Sequence, residues 1–371
     1  MKILGIETSC DETAAAVVED GQKILSNTVV SQIDIFAEYG GVIPEVAARS
    51  HLEAMMPVVN KALFDAACTW DEIDAIAVTH APGLLGSLLI GTLTARTLAI
   101  LHNKPLYATH HLKSHVYANW LDEVKDTKSE LALRGASPSL TNSDLTSFDL
   151  PIFPVLAVVI SGGHTQILYM KEHDQFEIIG TTHDDAVGEC FDKVAKILGL
   201  SYPGGPSIAK EALKGDGNRY KLPHPHVEGL DFSFSGLKTA VLRAVQKELG
   251  LPISHPSHDL KNHLTEEMRA DFAASFQKTA VDILIEKIKL AADEYPDVKS
   301  IVFAGGVSAN QALRDKAGDK LFDRPVFFPA PKLSGDNGAM VAAAAYFEIK
   351  SGVKPVDPYK LNIYPRISIE K

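Results

Sequence analysis

A chain of 371 residues with 46% apolar and 22% charged side chains has the usage of an ordinary globular protein of two or three domains, which excludes a disordered or collagen-like chain. Its 36 basic against 47 acidic residues leave a net charge of −11, so the surface as a whole is not built to coat nucleic acid or anionic lipid. The three cysteines, Cys10, Cys68 and Cys190, lie far apart without a CxxC, which points to free thiols in a reducing cytoplasm.

At the N-terminus, MKILGIETSCDE meets Glu7 and Asp11 before it can form the apolar run of about 7–15 residues that a signal peptide needs. Ile3–Thr8 reads as a strand, Ser9–Thr13 as a small polar turn, and Ala14–Glu19 and Ile24–Ser31 as two further strands. Apolar residues then recur at helical spacing from Pro44 to about Phe64, with the proline in the first turn. Asp74–Val78 is a strand that ends in Ala81-Pro82-Gly83. The stretch Leu84 to Leu101 carries Arg96 with several glycines and threonines. It falls short of the about 20 apolar residues of a membrane span, so a buried helix is expected and no membrane contact. Pro105–Thr109 is the next strand, with His110 and His111 at its end. Residues 121–150 are polar and rich in serine and threonine, as a surface loop between domains would be.

The same order then repeats. Val155–Ile160, Gln166–Met170 and Phe176–Thr181 read as strands around the turn Ser161–Thr165. Helices follow, then the strand Ser300–Ala304, a helix, the strand Pro325–Phe328 and a last helix from about Asn337. Element order thus shows an internal duplication that residue identity does not, and it predicts an α/β fold of two domains with mixed sheets. The expected boundaries are 1–120 for the first domain, 121–150 for the loop, 151–336 for the second domain with inserted helices, and 337–371 for a C-terminal helix and tail packing back near the first domain.

Several motifs carry chemistry. In His111-Leu112-Lys113-Ser114-His115 the two histidines stand at i and i+4, on one face of a helix, where both can reach one metal ion. A zinc protease would need a glutamate at position 112, and Leu112 cannot take a proton, so that mechanism is excluded. Asp336, at the start of the last helix, is a candidate third ligand. Two imidazoles and a carboxylate suit Fe(II), Mn(II) or Zn(II). The turns Ile6–Thr13 and Ser161–Thr165 occupy equivalent places in the repeat, and glycines in the second let backbone N–H groups point at an anion. Ala304–Asn310 adds a third glycine-bearing turn suited to packing a nucleotide against backbone. Asp192 has two readings, a surface ion pair with Lys196 or an acceptor for ribose hydroxyls. Tyr202–Pro206 and Phe232–Lys238 read as tight loops with buried phenylalanines. From Lys193 to Lys247, nine basic residues oppose four acidic ones, the place to look for nucleic-acid phosphates.

Taken together, MKILGIETSCDETAAAVV, GGVIPEVAARSHLE, HHLKSH, VISGGHTQI, GECFDKVAKILGLSYPGGP, DFSFSGLKTAV, FAGGVSAN and GDNGAM resemble the bacterial tRNA threonylcarbamoyltransferase family in order and over nearly the whole chain. Only residues 121–150 stand without a clear counterpart. The resemblance implies an ASKHA fold (that of actin, sugar kinases and heat-shock ATPases), with two duplicated RNase H-like domains and a nucleotide cleft between them. It implies transfer of a threonylcarbamoyl group from threonylcarbamoyl-AMP to the N6 amine of adenosine 37, in tRNAs reading ANN codons, with release of AMP. Its metal ligands fall on His111, His115 and Asp336, with Fe(II) the first expectation and Zn(II) or Mn(II) the others. Its substrate contacts, which can also take AMP or an ATP-like nucleotide, fall on Val159, Ile160, Ser161, Gly162, Gly163, Asp192, Gly205 and Asn310. It further implies a cytoplasmic enzyme whose partners, besides tRNA, are a related inactive paralogue and a small ATPase. For the proton acceptor or water-ordering group, Asp11 in the first turn is the candidate. An ATP-hydrolysing or kinase member of the same fold and a non-catalytic scaffold subunit are the competing readings.

Overall fold

The structure is a computed structural model that describes residues 1–122, 150–225 and 227–370, so the polar segment expected at 121–150 lies almost wholly outside the described residues. The first half runs β1 (Lys2–Glu7), β2 (Glu12–Glu19), β3 (Lys23–Ser31), α1 (Ile33–Ala37), α2 (Pro44–Asp65), β4 (Ala75–Ala81), α3 (Leu85–Leu101), β5 (Leu106–His110) and α4 (His111–Tyr117). The second half runs β6 (Val155–Ile160), β7 (Thr165–Met170), β8 (Phe176–Thr181), α5 (Val187–Leu198), α6 (Gly204–Ala212), α7 (Ser235–Glu248), α8 (Glu266–Glu294), β9 (Ser300–Ala304), α9 (Gln311–Lys320), β10 (Val326–Phe327), α10 (Pro331–Ser334) and α11 (Gly338–Lys350).

The two sheets are wired identically. The first has the order β3-β2-β1-β4-β5 and the second β8-β7-β6-β9-β10. In each, the first three strands are antiparallel and the last two join in parallel. The central strands β1, β4, β6 and β9 are buried on both faces, which is why their sequences are continuous apolar runs rather than alternating ones.

Helices α2 and α3 cover the outer face of the first sheet, and α5, α7, α8 and α9 cover that of the second. Between the sheets lie α4 and α11. The face of α11 bearing Ala339, Met340 and Ala342 packs on Ile3, Ala16 and Ala77. Its other face, with Ala343, Ala344 and Phe347, joins α4 against Val155, Ala157 and Val302. Four consecutive alanines keep this helix thin enough to serve both sheets. A Cβ on Gly5 would overlap the Gly338 carbonyl, and one on Gly338 would overlap the Ala15–Ala16 backbone. The start of α11 therefore lies directly on β1 and β2, and its position is set by backbone.

One expectation needs correcting. Helix α3 is not buried all round: Leu88, Ala95, Leu98 and Ala99 face the core, while Leu85 (59% exposed), Leu89, Leu93 and Ile100 face outward. Among the described residues, no helix is long and apolar enough to cross a membrane. The tail beyond α11 returns along the first half, where Val356 bridges Leu106 and Tyr364 N–H donates to the His80 carbonyl at 3.0 Å.

Candidate metal centre and nucleotide cleft

Helix α4 starts directly at the C-terminal end of β5, so His111 and His115 project one turn apart into the space between the sheets. Both are buried, and their rings meet edge to face with centroids 4.6 Å apart. Asp336 reaches the same point from the residue pair preceding α11. Its Oδ1 lies 3.0 Å from His115 Nε2 and 3.7 Å from His111 Nε2. The three ligand atoms fall within 4.8 Å of one another. The following residue, Asn337, caps α11 by accepting from Met340 N–H at 3.0 Å, and its amide donates to the Gly335 carbonyl at 2.8 Å. Asp336 is thus held on a clamped turn.

The far side of His111 fits the same role. Its Nδ1 faces Glu7 Oε2 at 3.2 Å and Ser9 Oγ at 3.1 Å, which leaves Nε2 directed at Asp336. Glu7 is itself fully buried and accepts from Ser9 N–H at 2.5 Å and Thr79 Oγ1 at 2.6 Å. A carboxylate behind a histidine is the usual support of a metal-ligating imidazole. The charges agree: burial pushes the Glu12 carboxyl up to about 9, reinforced by Asp336 and Asp11. Burial likewise raises the Cys10 thiol, with Asp11 and Asp336 adding to it. Burial would raise Asp336 too, but His111 and His115 outweigh it and hold the carboxyl down at about 2. A pocket of crowded acids beside two convergent imidazoles calls for a cation. His111, His115 and Asp336 therefore fit a divalent ion.

Both repeat turns border this point: Ser9 of the first touches His111, and His164 of the second lies in the field of His111, His115 and Asp336. The first is fixed by its neighbours: Thr8 Oγ1 donates to the Ser87 carbonyl at 2.8 Å, Ser87 Oγ donates to the Cys10 carbonyl at 3.1 Å, and His51 of α2 bonds Thr13 and the Cys10 carbonyl. In the second, Ser161 N–H donates to the His164 carbonyl at 2.8 Å, and Ser161 Oγ accepts from His164 N–H at 3.1 Å. Gly162 and Gly163 are exposed with open space where a Cβ would stand. Gly188, at the start of α5, sits so close that a Cβ would overlap the Ser161 carbonyl. Gly305 has φ +86° and backs onto Ile160, a conformation that requires glycine.

The remaining candidates divide. Val159 and Ile160 are fully buried in the core on opposite faces of β6, so they set the Ser161–Gly163 turn rather than offer functional groups. Asp192 forms no ion pair with Lys196: its Oδ1 accepts from Gly204 N–H at 2.6 Å, while Lys193 pairs instead with Asp185 and Glu189. The reason is the close packing of α6, where Gly204 abuts the Asp192 backbone. Burial raises the Asp192 carboxyl, and Glu189 and Asp11 add to it, so Asp192 shares the field of the first turn. Gly205 next to it has open space above its Cα. Asn310 is already engaged as the cap of α9, accepting from Leu313 N–H at 3.1 Å and donating to Gln277 at 2.9 Å. Phe232 and Phe234 are buried, and Asp184 gathers the loop between them through Ser233, Phe234 and Ser235. Glu7, Ser9, Glu12 and His164 are site residues that motif spacing alone did not single out.

The fold and this cleft define a class. The structure is similar to that of HypF from T. kodakarensis, with a TM-score of 0.58 at 15% identity, covering 94% of this chain and 48% of that one. It is also similar to full-length HypF in a phosphate- and nucleotide-bound form, with a TM-score of 0.52 at 13% identity over 94% of this chain and 46% of that one. The molecule is therefore a duplicated α/β protein of the ASKHA fold. The sequence narrows this further. The model of the family of tRNA N6-adenosine threonylcarbamoyltransferases matches residues 23–133 and 140–343. The protein of that name from Symbiobacterium thermophilum is 46% identical over 355 residues, covering 95% of this chain and 93% of its own. That from Caldicellulosiruptor bescii is 43% identical over 372 residues, covering 100% and 98%. The chain belongs to this family and is a tRNA-modifying transferase. The family match also reaches into both ends of the 121–150 segment and leaves out only 134–139, so most of that segment does have a counterpart.

Proposed function

We propose that the enzyme transfers the threonylcarbamoyl group of threonylcarbamoyl-AMP to N6 of adenosine 37 in tRNAs that read ANN codons. The observation that carries the reading is the meeting of His111, His115 and Asp336, in a chain of this family. In the reaction the N6 amine attacks the carbamoyl carbon, the bond from that carbon to the phosphate oxygen breaks, and AMP leaves. The mixed anhydride is already activated, so the protein's share is positioning and charge. The Ser161–Gly163 turn cradles the phosphate through the N–H groups of Gly162 and Gly163, since Ser161 N–H is taken by the His164 carbonyl, and the free oxygen of Asp192 accepts from a ribose hydroxyl. Asp11 takes the proton that N6 loses. His111, His115 and Asp336 would hold a divalent ion, Fe(II) or else Zn(II) or Mn(II), which would supply positive charge to offset that of the adenylate.

Two surface features support the choice of partners. The outward stripe of α3 (Leu85, Leu89, Leu93, Ile100) continues into Leu52 and Met56 of the adjoining α2, an apolar face suited to a helical partner such as the inactive paralogue. The tRNA would lie along the basic segment. There Lys193, Lys214 and Arg219 already pair with acids, which leaves the exposed Lys196, Lys210, Lys221 and Lys247 to meet phosphates.

The test is nucleoside mass spectrometry on unmodified tRNA transcripts incubated with the enzyme, threonylcarbamoyl-AMP and the partner proteins. Threonylcarbamoyladenosine should appear in an ANN-reading transcript and not in its A37G variant. Product in both, or rapid ATP turnover without tRNA and no product, would contradict the reading.

A further inference from the structure

A second group of metal-type ligands lies away from the cleft, in the segment that joins α7 to α8. His255, Asp259 and His263 recur every fourth residue, yet no continuous helix carries them; only residues 260–262 form a single 3-10 turn. Even so, both imidazoles converge on one oxygen. His255 Nε2 lies 2.9 Å and His263 Nε2 3.0 Å from Asp259 Oδ2, and the rings meet edge to face with centroids 5.7 Å apart. The donor set, two Nε2 atoms and one carboxylate oxygen within 4.8 Å, repeats that of His111, His115 and Asp336.

The scaffold beneath these side chains is fixed. Gln246 at the end of α7 donates to the carbonyls of Ile253 and His255, both at 3.1 Å, and Arg243 donates to the Ile253 carbonyl at 3.0 Å. Asp259 N–H donates to the Pro256 carbonyl at 3.2 Å, and His263 N–H to the Leu260 carbonyl at 3.0 Å. Leu260 is fully buried and anchors the turn to the core. The other oxygen of Asp259 accepts from Asn262 Nδ2 at 2.9 Å, the outer hydrogen bond that orients a ligating carboxylate. Ligand atoms around a tetrahedral ion with bonds of about 2.0–2.1 Å stand about 3.3 Å apart, so each of the two His–Asp separations, 2.9 and 3.0 Å, is within a few tenths of an ångström of a coordinated pair.

We propose that His255, Asp259 and His263 form a second divalent-metal site, separate from the cleft, which clips the α7–α8 connection. Two imidazoles select a borderline transition ion such as Zn(II), Co(II) or Ni(II) over Mg(II) or Ca(II), which take oxygen ligands. His263 is 47% exposed and Asp259 36%, so the remaining coordination positions open to solvent and exchange is rapid. The competing account is a proton-linked His–Asp–His staple that holds no metal.

Untagged full-length protein, stripped by chelator, is titrated with Co(II) while its visible absorption is followed, then with Zn(II) while bound metal and melting temperature are measured. Wild type should take up two equivalents. His263→Ala and Asp259→Asn should each bind one, with affinity at the second site lowered tenfold or more. His111→Ala should also bind one, and Zn(II) should raise its melting temperature, an effect absent in the His111→Ala/His263→Ala double variant. One equivalent in wild type, or uptake unchanged by His263→Ala, would overturn the proposal in favour of the staple.

Discussion

Glu7 is a carboxylate at the end of an otherwise apolar strand, fully buried, with each oxygen occupied: one by Ser9 N–H, the other by Thr79 Oγ1 and His111 Nδ1. Its work is to fix the orientation of His111. Glu7→Gln, similar in size but uncharged, should weaken divalent-metal binding about 10- to 100-fold in a chelator competition while the far-ultraviolet circular dichroism stays unchanged. Undiminished affinity would mean that the cleft histidines need no such support. Glu348 on α11 gives a prediction of the opposite kind. Burial lifts its carboxyl from 4.5 to about 8, against the pull of Lys113. The folded state therefore holds this proton more tightly than the unfolded one, and its contribution to stability falls as pH rises from about 4.5 to 8. Glu348→Gln should remove that slope, gaining roughly 3 kcal/mol on wild type at pH 8 compared with pH 5 in chemical denaturation. Parallel curves for the two proteins would refute it. The cluster of His111, His115 and Asp336 was legible in the sequence because HxxxH on a helix and an acid at a helix start are local patterns. Glu7 was not, since its partner is more than a hundred positions away; an acid closing an apolar strand was the available signal. Asn310 was visible only as a polar residue in a glycine turn, and the cap it makes for α9 depends on where that helix begins.

At the scale of elements, the siting of Asp336 depends on how closely α11 approaches the first sheet. Gly5 and Gly338 face one another across that contact, and the obstacles to any side chain there are backbone atoms that cannot swing away. Gly338→Ala should lower stability by about 1–3 kcal/mol or more and weaken metal binding with it, read from melting temperature and metal titration on the same sample. A variant with wild-type values in both would show that α11 has slack. The strands were readable because doubly buried parallel strands are unbroken apolar runs. Helix α3 was misread for a related reason. Its inner residues Leu88, Ala95 and Leu98 and its outer residues Leu85, Leu89 and Leu93 are equally apolar, so periodicity carries no sign of which side meets water.

For the molecule as a whole, duplication was apparent in element order, and the matched strand orders of the two sheets bear it out. What order could not show is that α4 and α11 are shared between the sheets, since that depends on packing between segments distant in the chain. The two-sheet arrangement leaves the apolar stripe of α2 and α3 on the outside. Leu89→Glu with Leu93→Glu should abolish co-purification with the proposed partner, the inactive paralogue, yet leave the melting temperature within a degree or two, because both side chains are already exposed. Retained capture would place the partner elsewhere. The central claim is that a single divalent ion on His111, His115 and Asp336 serves transfer to tRNA. It is tested most directly by measuring, on the same preparations of wild type, His111→Ala, His115→Ala and Asp336→Asn, the metal retained in the cleft and the threonylcarbamoyladenosine formed from threonylcarbamoyl-AMP. The two should fall together in all three variants while the circular dichroism of each remains that of wild type. Full product from a folded variant that holds no metal there would contradict the account.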